Sequence, residues 1–130
     1  MSFNDPISDL LTRIRNAKDA KHRYVELRSS NLLENIVKVM ESQGFISNYL
    51  IDRENRKMRI FLKYFNGRNS VINGLKRISK PGLRRYVKSC DIPYILGGMG
   101  TSLISTSKGI LDGETARQTK MGGELLCYIW

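Results

Sequence analysis

Apolar residues near the start of the chain recur with the period of a helix. They stand at i, i+3, i+4 and i+7, namely Ile7, Leu10, Leu11 and Ile14. This spacing places the four side chains on one face of a helix. The dipeptide Asp5-Pro6 comes directly before them, and aspartate as N-cap with proline at the first helical position is a common helix start. The pattern predicts an amphipathic helix that begins at this dipeptide.

The next segments predict a strand, a second helix and a hairpin. Residues 24–27 have the composition of a short strand, and a helix is expected from about Asn31, capped by the Asn31 side chain with Glu34, to Gly44. The buried face of that helix is predicted to contain Leu32, Leu33, Ile36, Val37 and Met40. Residues 45–51 and 58–64 then form two strands on either side of the polar turn 52–57.

The polar, glycine-containing stretch 66–70 is the candidate linker between two small subdomains, residues 1–66 and 67–130. In the second subdomain, strands are expected at 74–79, 83–88, 101–106 and 124–130, with a short helix at 114–120. The last strand is apolar on both faces, so we place it centrally. Asp112 is expected to cap the helix through Thr115. The fold class is therefore α+β, with an N-terminal helix-strand-helix-hairpin unit and a C-terminal, mostly antiparallel sheet with one short helix.

The charge balance limits the class of partner. The 130 residues contain 22 Lys and Arg against 12 Asp and Glu, a formal net charge of +10, which is typical of proteins that bind nucleic acid or anionic surfaces. No membrane span or signal peptide is recognisable, so we expect a cytoplasmic protein or one encoded within an organelle. Cys90 and Cys127 are expected to be buried or half-buried, and neither a metal site nor a cofactor is predicted.

Most of the excess positive charge lies between residues 53 and 88, where Glu54 is the single acidic side chain. If residues 83–88 are extended, Arg84, Tyr86 and Lys88 share one face of the strand. Cations can contact a phosphate backbone while the tyrosine ring stacks on a sugar or base. A solvated strand with a half-buried tyrosine is the alternative; the neighbouring charge favours nucleic-acid binding.

Three consecutive hydroxyl residues, Ser105, Thr106 and Ser107, precede Lys108 and Gly109. Small hydroxyl side chains approach a polar partner closely and both donate and accept hydrogen bonds. A serine hydrolase built on Ser105 is the rival interpretation, but the one histidine, His22, lies in a polar turn and no acid is placed to orient it. We predict a protein that is not an enzyme; a general nucleic-acid or DNA-binding module is a further alternative.

Four separated blocks resemble the bacterial ribosomal small-subunit protein S-eight family over essentially the whole chain. They are residues 5–16, residues 77–84 with Tyr86, residues 105–109, and residues 116–118 with 122–124. The resemblance implies a primary rRNA-binding protein that binds the central domain of small-subunit rRNA and helps to assemble the platform of the subunit. It further implies contact with neighbouring small-subunit proteins, a monomer outside the ribosome, and possible binding to its own messenger RNA.

The resemblance also implies which residues contact RNA. The hydroxyl loop (Ser105, Thr106, Ser107) would bind an irregular RNA helix, with Tyr86 and Glu124 nearby. Distorted RNA exposes base edges that are inaccessible in a regular A-form groove. Phosphate contacts would come from cations, and a second contact from the first helix. The full set of expected RNA-binding residues is Ser105, Thr106, Ser107, Lys108, Tyr86, Glu124, Gly122, Gly123, Lys80, Pro81, Gly82, Arg84, Arg85, Lys88, Arg13, Arg15 and Asn16.

Overall fold

The computed structural model describes residues 5–67 and 69–130, and it confirms the α+β class. The first half contains α1 (Pro6–Asp19), β1 (Tyr24–Arg28), α2 (Asn31–Ser42), β2 (Ile46–Asp52) and β3 (Lys57–Leu62). The three strands form an antiparallel sheet in the order β1-β3-β2. The predicted helix-strand-helix-hairpin order is therefore confirmed.

The two long helices are built as their sequences predict, with two local corrections. Asp5 caps α1 by accepting a hydrogen bond from the Ser8 backbone N–H at 3.2 Å, and the predicted apolar stripe of α1 is buried. The cap of α2 is Ser30 and not Asn31; its hydroxyl accepts from the Leu33 backbone N–H at 3.3 Å. Leu32 is exposed and not buried, because it lies beside the stripe formed by Leu33, Ile36, Val37 and Met40 and not within it.

The second half is rich in strands. It contains β4 (Tyr64–Phe65), β5 (Asn69–Ser70), β6 (Leu75–Arg77), β7 (Tyr86–Val87), β8 (Thr101–Thr106), β9 (Gly109–Asp112), α3 (Gly113–Gln118) and β10 (Gly123–Ile129), with 3-10 turns at Ser89–Asp91 and Leu96–Gly98. Asp112 caps α3 by accepting from the Thr115 backbone N–H at 3.1 Å, as expected. The sequence analysis missed β9, which pairs with β8 to form a hairpin.

Strand β10 is central, as its double apolar pattern predicts. It pairs with β6 and β7 along one edge and with β8 along the other. Its residues enter two separate hydrophobic clusters: Leu126, Cys127 and Ile129 lie in the larger one, and Leu125 lies in a smaller one beneath α3. Burial on both sides explains why this strand has no polar face.

Three further expectations differ from the structure in detail. The strand predicted at 83–88 is reduced to β7, because residues 80–83 form a tight turn closed by backbone hydrogen bonds between Lys80 and Leu83. The candidate linker 66–70 follows β4 and itself contains β5, which pairs with β4; Arg68 lies outside the described residues. Cys90 is exposed and Cys127 buried, so the burial prediction holds for Cys127 and is wrong for Cys90.

The larger hydrophobic cluster draws residues from both halves of the chain, including Leu10 and Ile60 from the first and Leu75 and Ile129 from the second. The hydrogen-bonded sheets, in contrast, keep the two halves separate. The division at residue 66 remains a prediction about how the chain folds. None of the helices within residues 5–67 and 69–130 has the length and apolar content needed to cross a membrane.

Candidate nucleic-acid interface

The hydroxyl residues lie at the tip of the β8–β9 hairpin. Thr106 closes the turn with its side chain, which donates to the Gly109 carbonyl at 2.8 Å and accepts from the Lys108 backbone N–H at 3.2 Å. Ser107 and Lys108 are exposed, whereas Ser105 is partly buried. The Thr106 hydroxyl is thus engaged in shaping the turn, and Ser107 and Lys108 are the side chains presented to solvent.

Tyr86, Glu124 and Ser105 lie in one row across three neighbouring strands. Glu124 on β10 is directly opposite Tyr86 on β7 and directly opposite Ser105 on β8. Residues opposite one another in an antiparallel sheet project from the same face. Tyr86 is 71% exposed, so a large ring stands free beside the hydroxyl hairpin. The fold therefore brings together residues that are 19 and 38 positions apart in the sequence.

Glu124 organises the residues around it. One of its carboxylate oxygens accepts from the buried Ser79 hydroxyl and from Arg84, whose Nη1 lies 3.0 Å away. Burial works against ionisation, but these two hydrogen bonds outweigh it and keep the pKa of Glu124 below its ordinary value. The carboxylate is charged at neutral pH and orients the Arg84 guanidinium through a charge-assisted hydrogen bond.

Sequence reasoning missed Ser79 as a member of this site. Its hydroxyl donates to Glu124 and also accepts from the Arg85 backbone N–H at 3.1 Å, so it fixes the start of the basic segment after the turn. Ser79 is fully buried. The only sequence signal was its position inside the basic block, where nothing distinguishes it from a solvent-exposed serine.

Gly122 and Gly123 allow the start of β10 to approach its neighbours. A Cβ at Gly122 would lie 2.5 Å from the Val87 carbonyl oxygen, and one at Gly123 would overlap the carbonyl of Ser105. Backbone atoms cannot give way to such a group without a shift of the strands. The two glycines therefore set the spacing of the row of Tyr86, Glu124 and Ser105.

The basic turn residues surround this row. Lys80, Pro81 and Gly82 form an exposed turn, and Arg84, Arg85 and Lys88 are exposed as well. The Arg85 backbone carbonyl accepts from the Leu125 N–H at 2.9 Å, so its backbone is fixed against β10 while the residue remains exposed. The predicted face of Arg84, Tyr86 and Lys88 is interrupted, because residues 83–85 are not part of a strand.

The three candidates on α1 are placed differently from one another. Arg15 donates to the Leu75 carbonyl at 2.7 Å and so joins α1 to β6. Arg13 pairs with Asp9, with 3.1 Å between Nε and Oδ2. Asn16 is exposed. Arg15 thus has a structural role, Arg13 is paired within its own helix, and Asn16 is the most exposed of the three residues.

The positive charge between residues 53 and 88 does not form one strip. Arg53, Arg56, Lys57 and Arg59 belong to the β2–β3 hairpin, whereas Lys80, Arg84, Arg85 and Lys88 belong to the segment before and after β7. Arg77 is withdrawn from the surface because it pairs with Asp5. Among the described residues, these cations thus fall in separate regions, one on the three-stranded sheet and one on the five-stranded sheet.

The side chains around the row of Tyr86, Glu124 and Ser105 are suited to binding a partner. Ser105 lies opposite a carboxylate, Glu124, while His22 occupies the turn between α1 and β1 in the other half of the chain. A serine nucleophile needs a base within hydrogen-bond reach. Exposed hydroxyls, one tyrosine ring and clustered cations define instead a surface suited to a polyanion with exposed polar edges, the class of nucleic-acid-binding proteins.

Comparison with known proteins identifies the family within that class. The family model described as Ribosomal protein S8 matches residues 5–130. The chain is 56% identical over 129 residues to small ribosomal subunit protein uS8 of Chlamydia abortus, which covers 98% of this chain and 97% of the relative. It is 52% identical to the protein of the same name from Protochlamydia amoebophila, over the full length of both.

The chain belongs to the ribosomal protein S8 family. Members of this family are structural components of the small ribosomal subunit and are not enzymes. The full-length resemblance inferred from the four sequence blocks is therefore confirmed, and so is the prediction of a non-enzymatic protein.

Proposed function

We propose that the protein binds the central domain of small-subunit rRNA as a primary binding protein and helps to assemble the platform of the subunit. The observation that supports this most directly is the row of Tyr86, Glu124 and Ser105 beside the exposed tip of the β8–β9 hairpin. Ser107 donates and accepts hydrogen bonds at base edges and sugars, and the Tyr86 ring stacks on an unpaired base. An irregular RNA helix offers both features.

Cations around the row supply the affinity that does not depend on sequence. Lys80, Arg84, Arg85, Lys88 and Lys108 are exposed. Neutralising about five phosphates gives a slope of about −4 in a plot of log affinity against log salt concentration. Recognition and affinity are thus divided between the uncharged tip with its tyrosine and the basic segment around it.

Affinity measurements on two RNAs separate these two contributions and test the proposal. Ser107→Ala and Tyr86→Ala are expected to weaken binding to an irregular hairpin from the central domain about tenfold or more, and to change binding to a regular RNA duplex little. Lys88→Ala is expected to weaken both RNAs equally. Ser47→Ala, at an exposed serine on β2, serves as the matched control.

The rival classes predict other outcomes in the same measurements. Equal losses on the hairpin and the duplex would mean that the hairpin tip is scaffolding. Duplex DNA that competes as well as the structured RNA would favour a general nucleic-acid module. A flat salt profile would reject binding through phosphates altogether.

The same surface accommodates the finer roles that the family resemblance implies. A hairpin in the messenger RNA of this protein that copies the irregular rRNA helix would compete for Tyr86 and Ser107, and would let free protein limit its own synthesis. We propose further that the protein acts as a monomer outside the subunit and contacts neighbouring small-subunit proteins within it. Sedimentation of the free protein, and competition between the two hairpins, test these roles.

A further inference from the structure

The three-stranded sheet has one face that neither helix covers. In β3, Met58, Ile60 and Leu62 enter the hydrophobic core with α1 and α2, so the alternate residues point to the opposite side. We call this side the outer face. In register across β1, β3 and β2 it contains the rows Tyr24–Phe61–Asn48, Glu26–Arg59–Leu50 and Arg28–Lys57–Asp52.

One end of the outer face is aromatic and accessible. The rings of Tyr24 and Phe61 are 5.9 Å apart, tilted by 52°. Tyr24 is 42% exposed and Leu50 is 55% exposed. Exposed aromatic rings on an uncovered sheet offer a surface on which a planar group can stack.

Arg59 is held at this aromatic pair in a fixed orientation. Its guanidinium carbon lies 4.5 Å from the centroid of the Tyr24 ring. Glu26, opposite it on β1, accepts hydrogen bonds from Nε and Nη2 of Arg59. The guanidinium is therefore stacked and oriented at once, which reduces the rotamer freedom that is lost when it binds a partner.

The other end of the outer face is concave, and cations outnumber carboxylates there. A shallow cavity of about 390 Å³ lies over Leu50, Lys57 and Arg59, and its lining also contains the carboxylates of Glu26 and Asp52. A second, of about 430 Å³, adjoins it and is lined by Arg28, Arg56 and Lys57 among others. From the aromatic row to the Arg28–Lys57 row is four residues along a strand, roughly 13 Å.

We propose that the outer face binds an unpaired segment of RNA, separate from the irregular helix that the β8–β9 hairpin recognises. One or two bases stack on Phe61 and Tyr24, and Arg59 with the Asn48 side chain contacts their edges. The backbone then runs toward Arg28, Arg56 and Lys57, which neutralise its phosphates. RNA carries both bases, which stack on aromatic rings, and phosphates, which pair with cations, so it uses both ends of this face. A purely apolar protein partner would have no use for the cations.

This inference extends the proposed function and rests on its premise that the protein works on RNA, but it concerns different residues. The test uses the full chain and two probes: a labelled ten-nucleotide uridine RNA, which cannot pair with itself, and the irregular rRNA hairpin. Tyr24→Ala and Arg59→Ala are each expected to weaken binding to the uridine RNA about tenfold. Both variants should leave the affinity for the hairpin within twofold.

Two controls separate the surfaces. Tyr94→Ala removes a more exposed ring, 66% against 42% for Tyr24, which also stacks with an arginine, Arg117, outside the outer face; it is expected to change neither affinity. Ser107→Ala is expected to weaken the hairpin and not the uridine RNA. Loss of hairpin binding in Ser107→Ala with no effect of Tyr24→Ala would overturn the present inference and leave the proposed function standing.

A measurement on the unaltered protein guards against misfolded variants. Ultraviolet crosslinking to the uridine RNA, followed by mapping of the attached peptide, is expected to identify Tyr24 or Phe61. Crosslinks confined to the segment around Tyr86 would overturn the inference, because the basic segment of the C-terminal sheet would then account for all binding. So would unchanged affinity in both Tyr24→Ala and Arg59→Ala; the face would then be free for a protein neighbour.

Discussion

Asp5 and Arg77 form an ion pair between the start of α1 and the end of β6, with 3.3 Å between Oδ1 and Nη2 and with side chains only 10% and 9% exposed. The same carboxylate caps α1 through Ser8, and Arg77 also donates to the Leu126 carbonyl at 2.8 Å. One carboxylate therefore fixes the first helix and attaches it to the five-stranded sheet.

Asp5→Ala is expected to lower the free energy of unfolding by about 3 kcal/mol, because it removes the helix cap and leaves the buried Arg77 without its counter-charge. Denaturant titration measures this loss. Asp9→Ala is the matched control: Asp9 pairs with Arg13 on the surface of the same helix, and its loss should lower the stability by about 0.5 kcal/mol. Equal effects of the two changes would contradict a special role for Asp5.

Stability should fall in acid. Burial opposes the ionisation of Asp5, but hydrogen bonds from Ser8 and Arg77 outweigh it, so its pKa lies below the ordinary value of 3.8. The pKa of Glu124 is likewise held below 4.5. A lowered pKa in the folded state means that the unfolded chain binds protons more readily, so the stabilisation is complete above about pH 5 and disappears as the pH falls through the folded pKa values.

This pH dependence can be assigned to the two carboxylates by substitution. Denaturant titrations between pH 3 and pH 7 are expected to show a shallower acid decline in Asp5→Asn and in Glu124→Gln than in the unaltered protein. Each variant should be less stable at pH 7 and closer to the unaltered protein at pH 3. An unchanged decline in both would assign acid unfolding to other groups.

Glu124→Ala is expected to weaken binding to the irregular rRNA hairpin about tenfold, although it removes a negative charge. The reason is that Glu124 orients Arg84 and accepts from Ser79. Glu114→Ala removes an exposed carboxylate on α3 and should leave the affinity unchanged or slightly raised. Fluorescence anisotropy with labelled hairpin measures both; tighter binding in Glu124→Ala would mean that simple charge repulsion dominates.

Gly123→Ala is expected to destabilise the protein by about 2 kcal/mol and to weaken hairpin binding, because the new methyl group would overlap the carbonyl of Ser105 and displace β8 from β10. At Gly82 an added Cβ meets nothing within 4 Å, so Gly82→Ala should change the stability by less than about 0.5 kcal/mol. Thermal unfolding and hairpin titration of the two variants provide the comparison. Similar behaviour of both would show that the close approach at Gly123 tolerates a shift.

Local chemistry in the sequence was enough to predict several features. The start of α1 follows from Asp5-Pro6 and an apolar stripe, the cap of α3 from Asp112 three residues before Thr115, and β8 from its apolar run. In each case the residues that determine the element lie within one or two turns of one another. The cap of α2 shows the limit of such local prediction. Ser30 and Asn31 are adjacent polar residues that could both cap this helix, and only the backbone conformation selects Ser30.

The amino-acid sequence by itself determined the class of fold, the hydroxyl loop and the excess of cations, because periodicity, turn residues and charge are properties of neighbouring positions. Tertiary structure decided which cations remain at the surface and which residues share a row. Arg15 reaches a carbonyl 60 residues away, Arg77 a carboxylate 72 residues away, and Ser79 a carboxylate 45 residues away. Strand order and register determine which residues become such partners. Both depend on the burial of the whole core, so these pairs cannot be predicted from the residue type at any single position.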